Sequence, residues 1–445
     1  MQILKPHFKN YRKEIIFAII TILVSAFATL WQPRLLENIQ KAILADNHDT
    51  VLRDGIGLVV LGLLAIIAGI FNVYYAAKIA QGITSDLREE TYAKIQSFSF
   101  GNIEKFSSGS LVVRLINDMN QVMNMMMILF MQLLRMPIIL LGSFVLSIVT
   151  IPHYWWAPVL MLALMMGVGL VVIQNMNQLF AKFQKYMDKI STQVKENLQG
   201  VRVVKSFNQG ENEIKRFNKT SDDLNELNIK IGYWISTIMP AFMLIAYLVI
   251  ALVVFLVGRS ANLNPSDVAV VSPYVSYILT LLFAILIGGF VIMNFTRGMV
   301  SLRRIKEVLD TEPDVQFVSN ASAAPEKGSI EFDNVSFTYP DGDKPTLKNI
   351  SFKVKPGEMV GIVGATGSGK STLAQLIPRL YDPTKGTIKI GGKDLKTIGE
   401  KALRNTVSMV LQKAILFSGT IASNLRQGKE DATDYELKRA SEIAQ

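Results

Sequence analysis

The chain has 445 residues, of which 50% are hydrophobic and only 18% are charged. Soluble globular chains carry roughly 25% charged residues, so this composition argues against an ordinary soluble protein and favours a membrane protein. The absence of cysteine excludes a disulfide framework and thiolate metal sites. Apolar residues form blocks up to about residue 295, and a more polar sequence follows. This change predicts a membrane half followed by a soluble half.

Six apolar stretches are each long enough to cross about 30 Å of hydrocarbon as a helix. They cover residues 14–36, 55–77, 127–150, 154–176, 234–258 and 269–295. The first stretch follows a basic N-terminus, as the core of a signal peptide would. It is about 20 residues long, however, and no small-residue cleavage site follows it. It is therefore predicted to be a retained first span.

The basic residues between the spans predict the orientation of the chain. Lys and Arg number four in residues 1–13, five in residues 78–122 and ten in residues 178–233. The other connections hold two in residues 37–53 and none in residues 151–154 or 260–268. Cytoplasmic loops carry the excess of Lys and Arg, so the N-terminus, both long connections and the C-terminal domain are predicted to be cytoplasmic. This topology also accounts for the net charge of +10, and no nucleic-acid partner is predicted.

The two long cytoplasmic connections have helical periodicity and mixed charge at residues 85–96 and 184–199. Each also contains a short break, at residues 106–110 and 207–210, where Gly and polar residues favour turns. We therefore predict two helical hairpins that extend into the cytosol and contact another domain. Solvated loops are the alternative interpretation.

Methionine is abundant in the third and fourth spans, and Arg135 lies near the cytoplasmic end of the third. Flexible thioethers suit an adaptable ligand surface, although each Met taken singly is better explained as a packing or lipid-facing residue. An ionisable side chain inside a span is a candidate functional residue. The alternative for Arg135 is that its side chain reaches the cytoplasmic interface. The methionines concerned are Met123, Met125, Met126, Met127, Met131, Met136, Met161, Met165 and Met166.

After the sixth span, basic residues and then an Ala/Ser-rich stretch at residues 319–325 predict a linker. Strand patterns dominate beyond it, at residues 329–337, 350–354, 359–363, 387–390 and 407–411. The predicted domains are a membrane domain at 1–310, a linker at 311–327 and a partial α/β P-loop domain at 328–445. A six-helix all-α membrane domain followed by this partial α/β domain is the predicted fold class.

Residues 364–371 read GATGSGKS and match the phosphate-binding pattern G-x-x-x-x-G-K-[ST]. They lie between the predicted strand 359–363 and a predicted helix at 371–380, which is the context that the motif requires. The glycines allow successive backbone N–H groups to point at phosphates. Lys370 can reach the β- and γ-phosphates, and the Ser371 hydroxyl can bind Mg²⁺. Tyr339, at a strand end, can stack on a base, and Gln412, after the predicted strand 407–411, can reach a nucleotide's metal.

Together these motifs resemble those of the ATP-binding cassette (ABC) exporters over essentially the whole chain. Residues 337–340 resemble the adenine-stacking loop, 364–371 the Walker A motif and 411–421 the Q-loop, although Leu411 stands where the family usually has proline. Residues 106–114 with Asn117 and Asp118, and residues 196–207, resemble the two intracellular loops whose tips seat on the nucleotide domains. The resemblance implies ATP and Mg²⁺ as cofactors. It assigns the nucleotide to Tyr339, Gly364, Ala365, Thr366, Gly367, Ser368, Gly369, Lys370, Ser371 and Thr372, Mg²⁺ to Ser371 and Gln412, and a catalytic role to Gln412.

The family's signature motif, Walker B aspartate, catalytic glutamate and switch histidine do not occur, so we expect only the front part of the nucleotide domain here. Residues 97–100, 32–36 and 377–380 are similar to one half of bacterial heterodimeric multidrug exporters. The resemblance therefore implies a bacterial cytoplasmic-membrane half-transporter for amphipathic compounds. It implies a second half as partner and favours a heterodimer over a homodimer. Lipid or peptide export, a non-hydrolysing regulatory half and an inactive truncated product remain alternatives.

Overall fold

The computed structural model describes residues 2–260, 269–318, 328–340, 342–412 and 415–444. Parts of two predicted segments therefore lie outside the described residues, namely most of the outer connection 260–268 and residues 319–327 of the linker. The same holds for Asp341, Lys413 and Ala414. The chain forms two compact units. The membrane unit comprises Met1–Ile95 and Leu111–Thr311, and the P-loop unit comprises Gln96–Ser110 and Glu312–Gln445.

The six predicted spans are confirmed in the part of the chain that the structure describes. The six helical segments long and apolar enough to cross a membrane are Arg12–Leu44, His48–Gln96, Ser108–Thr150, Pro152–Gln199, Gly210–Arg259 and Val271–Asp310. All six run beyond the predicted apolar stretches, so helices continue out of the hydrocarbon. Residues 85–96 and 184–199 lie in such continuations, as predicted.

The membrane unit is built almost entirely from helices. In chain order the helices before the linker are α1 (Lys5–Phe8), α2 (Arg12–Leu44), α3 (His48–Gln96), α4 (Phe100–Phe106), α5 (Ser108–Val113), α6 (Met119–Ile128), α7 (Arg135–Thr150), α8 (Trp156–Gln199), α9 (Val201–Ser206), α10 (Gly210–Ser260) and α11 (Val271–Asp310). Of these, α4 and the first turn of α5 belong to the P-loop unit. Two π-helical turns, Arg114–Asp118 and Leu129–Leu133, interrupt the third span between α5 and α6 and between α6 and α7. Short 3₁₀ turns precede α1 and α8, at Gln2–Leu4 and Pro152–Tyr154.

The breaks predicted in both cytoplasmic connections are present. Ser107, between α4 and α5, has φ +59°, and Asn208, between α9 and α10, has φ +54°. Positive φ is uncommon for residues other than glycine and is incompatible with a right-handed helix, so the helix is interrupted at both positions. The tip of the second connection is exposed, with Phe207 70% accessible.

Two apolar clusters hold the membrane unit together. One packs α3 and α6 against the cytoplasmic part of α11, around Ile83, Met125 and Ile305. The other packs α8, α10 and α11, around Met161 and Tyr274. Met125, Met126, Met161 and Met165 are all buried in these clusters, so packing accounts for these four methionines.

The P-loop unit contains a four-stranded antiparallel sheet. Its strands are β1 (Ile330–Phe337), β2 (Leu347–Val354), β3 (Lys385–Ile390) and β4 (Lys393–Asp394), in the order β2-β1-β3-β4. Phe332 of β1 lies opposite Phe352 on one side and Ile388 on the other. The helices of this unit after the linker are α12 (Lys370–Leu376), α13 (Glu400–Thr406), α14 (Ile421–Leu425) and α15 (Asp434–Ala444), with a 3₁₀ turn at Leu395–Thr397. Leu376 of α12 packs into the core of the sheet.

Two predicted strands are not present, and this corrects the sequence-based prediction. Residues 359–363 and 407–411 are not strands in the structure. Met359, Val363 and Val410 are each at least 97% exposed. A strand is stabilised by hydrogen bonds to a neighbouring strand and by side-chain packing across that pair. Within the described residues neither segment has such a neighbour, so apolar β-branched composition alone does not produce a strand.

The helix predicted at residues 371–380 is also shorter than expected, because α12 ends at Leu376. Ile377 still has helical angles, φ −65° and ψ −49°, but Pro378 has no N–H to donate to the Ala374 carbonyl. Arg379 then adopts φ +54°, which ends any right-handed helix. The remaining residues of the predicted helix form a turn that leads to β3.

Candidate nucleotide-binding site

The loop formed by residues 364–369 curls tightly before α12. Gly367 and Gly369 have φ +84° and +89°, values that glycine adopts without steric cost. A side chain on Gly369 would also meet the Leu347 Cδ2 atom at 2.7 Å. Ser368 N donates to Ala365 O at 3.2 Å and closes the turn. The two glycines thus give the loop a conformation that other residues would not adopt readily.

Lys370, the first residue of α12, is directed back across the loop. Its Nζ donates hydrogen bonds to Gly364 O and Ala365 O, each at 2.8 Å. The half-buried ammonium group therefore lies beside the exposed backbone of the loop. A positive charge in this position can pair with a phosphate that the loop amides bind.

The next two residues of α12 have different environments. Ser371 is exposed in the first turn, so its hydroxyl is free to approach an incoming metal–nucleotide complex. Thr372 is only 5% exposed, and its hydroxyl lies 2.9 Å from that of Tyr339. No group of three or more His, Cys, Asp or Glu residues is assembled for a metal in the described part of the chain. A Mg²⁺ ion that enters with the nucleotide would fit the Ser371 hydroxyl.

Tyr339 lies beside the P-loop helix. Its hydroxyl donates to Gln375 Oε1 at 3.1 Å, so it accepts from Thr372. Its ring makes edge contacts with Phe337 and Tyr381, with centroids 4.8 and 5.4 Å away. Burial raises the pKa of Tyr381, and the Glu104 carboxylate raises it further, so this neighbour stays protonated at neutral pH. The structure therefore places Tyr339 beside the P-loop helix, and its predicted stacking on adenine stays a prediction.

Gln412 has no such contact. It is exposed in a bend after residues 407–411, and its side chain has no hydrogen-bond partner among the described residues. The segment that was expected to fix its position is not a strand. Its predicted role at the metal therefore stays a prediction.

Two buried polar residues that the sequence did not indicate hold the segment that follows α11. Asn102 of α4 donates to Glu312 O at 3.1 Å and accepts from Asp314 N at 3.1 Å. Arg379 donates to Gln316 O at 3.1 Å and binds both carboxylate oxygens of Asp382. The only sequence signals are weak, namely the Ser-x-x-Asn spacing of residues 99–102 and the Arg-x-x-Asp spacing of residues 379–382.

The described geometry is that of a phosphate-binding P-loop on a chain with six membrane-spanning helices, which defines a membrane protein that binds nucleotides. Comparison with protein families agrees. The family model described as the ABC transporter transmembrane region matches residues 15–295, and the model described as ABC transporter matches residues 347–444.

Similar proteins from bacteria cover nearly the whole chain. The ABC transporter ATP-binding protein YfiB of Bacillus subtilis is 36% identical over 429 residues, which are 96% of this chain and 75% of that protein. The ABC transporter ATP-binding protein MT1311 of Mycobacterium tuberculosis is 28% identical over 452 residues, which are 100% of this chain and 77% of that protein. The protein YknV of Bacillus subtilis is 29% identical over 99% of this chain and 73% of its own length.

The chain belongs to the ABC transporter family. It is a half-transporter, a multi-pass protein of the bacterial plasma membrane with its ATP-binding domain in the cytoplasm, and an ATPase coupled to transport. A half-transporter of this kind works as a dimer in the lipid bilayer.

Proposed function

We propose that the chain is one half of a heterodimeric exporter that uses ATP and Mg²⁺ to move amphipathic compounds out of the cell. The observation that supports this most directly is the P-loop. Lys370 donates to the loop carbonyls at 2.8 Å, and two glycines in the left-handed region expose the loop amides. This loop is joined in one chain to six membrane-spanning helices.

In this proposal each residue of the site has one task. The backbone of Gly364, Ala365, Thr366, Gly367, Ser368 and Gly369 binds the phosphates, and Lys370 pairs with the β- and γ-phosphates. Ser371 and Gln412 bind Mg²⁺, Thr372 contributes through its backbone because its side chain is buried, and Tyr339 holds the adenine. Gln412 also connects the site to the membrane domain.

Coupling to transport is proposed to use the two cytoplasmic connections. The first contributes α4 to the P-loop unit of its own chain. The second ends in an exposed apolar tip, where Val203 and Phe207 are 61% and 70% accessible. An exposed apolar surface of this kind suits a protein contact, and we assign it to the partner's nucleotide domain. The preference for a different half as partner rests on the resemblance of residues 97–100, 32–36 and 377–380 to heterodimeric exporters.

The proposal predicts that Lys370→Ala weakens nucleotide binding by about 10- to 150-fold, because a hydrogen bond to a charged group contributes roughly 1.5–3 kcal/mol. Equilibrium binding of Mg²⁺ with a fluorescent ATP analogue to the chain in lipid nanodiscs measures this. Lys348→Ala is the matched control, because Lys348 is an exposed lysine of β2. Equal affinity of both variants would contradict the assignment of the site.

The transported compound is tested separately. In the assembled dimer, amphipathic drugs should stimulate ATP hydrolysis more than added phospholipids or peptides do. Stimulation by lipid or peptide alone would assign the chain to a lipid or peptide exporter instead.

A further inference from the structure

A cavity of about 370 Å³ lies in the membrane unit between α2, α7 and α11. Most of its lining is apolar and includes Met131, Met136 and Phe283. The polar side chains that line it include Thr29 and Arg135. Ligand pockets typically measure about 300–1,000 Å³ and combine apolar walls with a few polar groups. This space, called here the Arg135 cavity, has the size and lining of a ligand site.

The depth of Arg135 in the span makes its charge unusual. Arg135 begins α7 and Thr150 ends it at the outer side, so the two are about 22 Å apart at 1.5 Å per residue. The hydrocarbon core is about 30 Å thick. Arg135 therefore lies within the cytoplasmic half of the hydrocarbon, where ionisable residues usually face a cavity or a partner group.

The contacts of Arg135 leave its charge uncompensated. Its Nη2 donates to Thr29 Oγ1 of α2 at 3.0 Å, and Thr29 lines the same cavity. Its Nε is buried without a hydrogen-bond acceptor in the described residues. No carboxylate lies within ion-pair distance of its guanidinium in that part of the chain. The hydrogen bond across to α2 also favours a role in the cavity over simple extension to the cytoplasmic interface.

The backbone beside Arg135 is distorted in a way that fixes this arrangement. The π-helical turn Leu129–Leu133 comes immediately before α7, and such turns often occur at functional sites. Asn72 of α3, itself buried, donates to Phe130 O within this turn at 3.3 Å. A buried side chain therefore satisfies a carbonyl oxygen of the distorted turn, which helps to hold the turn in place.

We infer that the Arg135 cavity binds an amphipathic molecule with one anionic group. The anionic group pairs with the Arg135 guanidinium, and the apolar body packs against Met131, Met136 and Phe283. Electrostatic complementarity carries this assignment, because Arg135 is a half-buried cation with a buried Nε and no carboxylate partner among the described residues. Such a group favours an anion over a cationic or neutral ligand. That the bound molecule is cargo for export rests on the proposed function, whereas the binding itself does not.

A pair of fluorescent probes tests the assignment. 1-Anilinonaphthalene-8-sulfonate is an anionic amphipath, and N-phenyl-1-naphthylamine is its neutral counterpart without the sulfonate. Both are titrated, without nucleotide, onto the chain in phosphatidylcholine nanodiscs. Arg135→Gln should weaken binding of the sulfonate at least tenfold and leave the neutral probe within twofold. Arg135→Lys, which keeps the charge, should retain most of the affinity for the sulfonate.

Two further variants separate charge from packing. Arg297→Gln removes an exposed arginine of α11 and should change neither probe. Phe283→Ala removes an apolar wall whose side chain is 44% exposed, so it should weaken both probes about equally without unfolding the chain. If Arg135→Gln fails to fold, Arg135→Lys and Phe283→Ala are compared with wild type instead. This comparison still tests whether the probes occupy the cavity. Unchanged binding of the probes in Phe283→Ala would overturn the proposal.

A change in the lipid composition of the nanodiscs tests whether the natural ligand is an anionic phospholipid or a free anionic amphipath. If an anionic phospholipid occupies the cavity, nanodiscs with phosphatidylglycerol should weaken sulfonate binding to wild type but not to Arg135→Gln. Equal affinity in both lipid compositions would favour a free anionic amphipath. Unchanged sulfonate binding in Arg135→Gln, or equal loss of both probes, would overturn the inference. ATP-analogue binding in the same variant shows whether the nucleotide site, and with it the proposed function, is intact.

Discussion

The membrane unit and the P-loop unit differ in where their backbone N–H and C=O groups find hydrogen-bond partners. Helices of the membrane unit form their backbone hydrogen bonds within one continuous segment, which is what a bilayer demands. Strands of the P-loop unit depend on neighbours that are distant in sequence. β1, for example, pairs with β2 on one side and with β3 on the other, where Ile330 lies opposite Ile390 and Ser336 opposite Lys385.

This difference explains why the two units respond differently to the same kind of sequence. Apolar runs in the membrane unit form helices along almost their whole length. The apolar runs at residues 359–363 and 407–411 form no strand and leave Val363 and Val410 97% exposed. A helix needs only its own sequence and a suitable solvent, whereas a strand also needs a partner.

Hydrogen exchange should show the largest contrast. Amides of residues 359–363 lack the hydrogen bonds of a sheet in the described structure and should exchange almost as fast as in an unfolded peptide. Amides of β1 around Phe332 and Val335, which are at most 2% exposed, should exchange about 1,000-fold more slowly. That ratio corresponds to roughly 4 kcal/mol of opening free energy. Mass spectrometry of the deuterated chain in nanodiscs measures both.

The same experiment can contradict the comparison. Slow exchange at residues 359–363 would mean that the segment has a partner in solution. Membrane helices such as α11 serve as the internal reference, because their amides are bonded within the helix and should be the slowest of all.

Packing in the membrane unit is tested by a substitution on α11. A Cβ on Gly298 would lie 2.3 Å from Met125 Cβ of α6, so Gly298→Val forces the two helices apart. Overpacking of this kind typically costs about 1–3 kcal/mol. The melting temperature of the chain in detergent, followed by circular dichroism, should therefore fall clearly.

Gly289→Val on the same helix is the matched control. A Cβ on Gly289 meets nothing within 4 Å, and both substitutions carry the same change in helix propensity. Only the contact with Met125 distinguishes the two variants. If they melted at the same temperature, close approach of α6 and α11 would not contribute to stability.

Features that depend on local sequence could be predicted, whereas features that depend on partners distant in sequence could not. The six spans, the two breaks near Ser107 and Asn208 and the P-loop depend on local sequence, and each is present in the structure. The position of Gln412 depends on a strand that needs a partner, and the sequence does not reveal that partner. The contacts of Asn102 with Glu312 and Asp314 join residues more than 200 positions apart, and no local pattern encodes such a pair.

Asn102 offers the smallest and most specific test, because its polar contacts hold a cytoplasmic connection that is also packed through Phe98 and Phe106. Its Oδ1 also accepts from Ser99 N at 3.0 Å, and the residue is only 1% exposed. Asn102→Ala removes the hydrogen bonds from Asn102 to the Glu312 carbonyl and from the Asp314 amide to Asn102, at a cost of about 1–3 kcal/mol. Exchange of the amides in residues 312–318 should accelerate about tenfold or more.

Two substitutions define what that result means. Asn102→Asp keeps the accepting oxygen but loses the donor to Glu312 O, so an intermediate acceleration is expected. Asn120→Ala, at an exposed position of α6, should have no effect on residues 312–318. If Asn102→Ala behaved like Asn120→Ala, the apolar packing of α4 would be sufficient to hold this segment. The polar contacts of Asn102 would then be a consequence of the fold and not a cause of it.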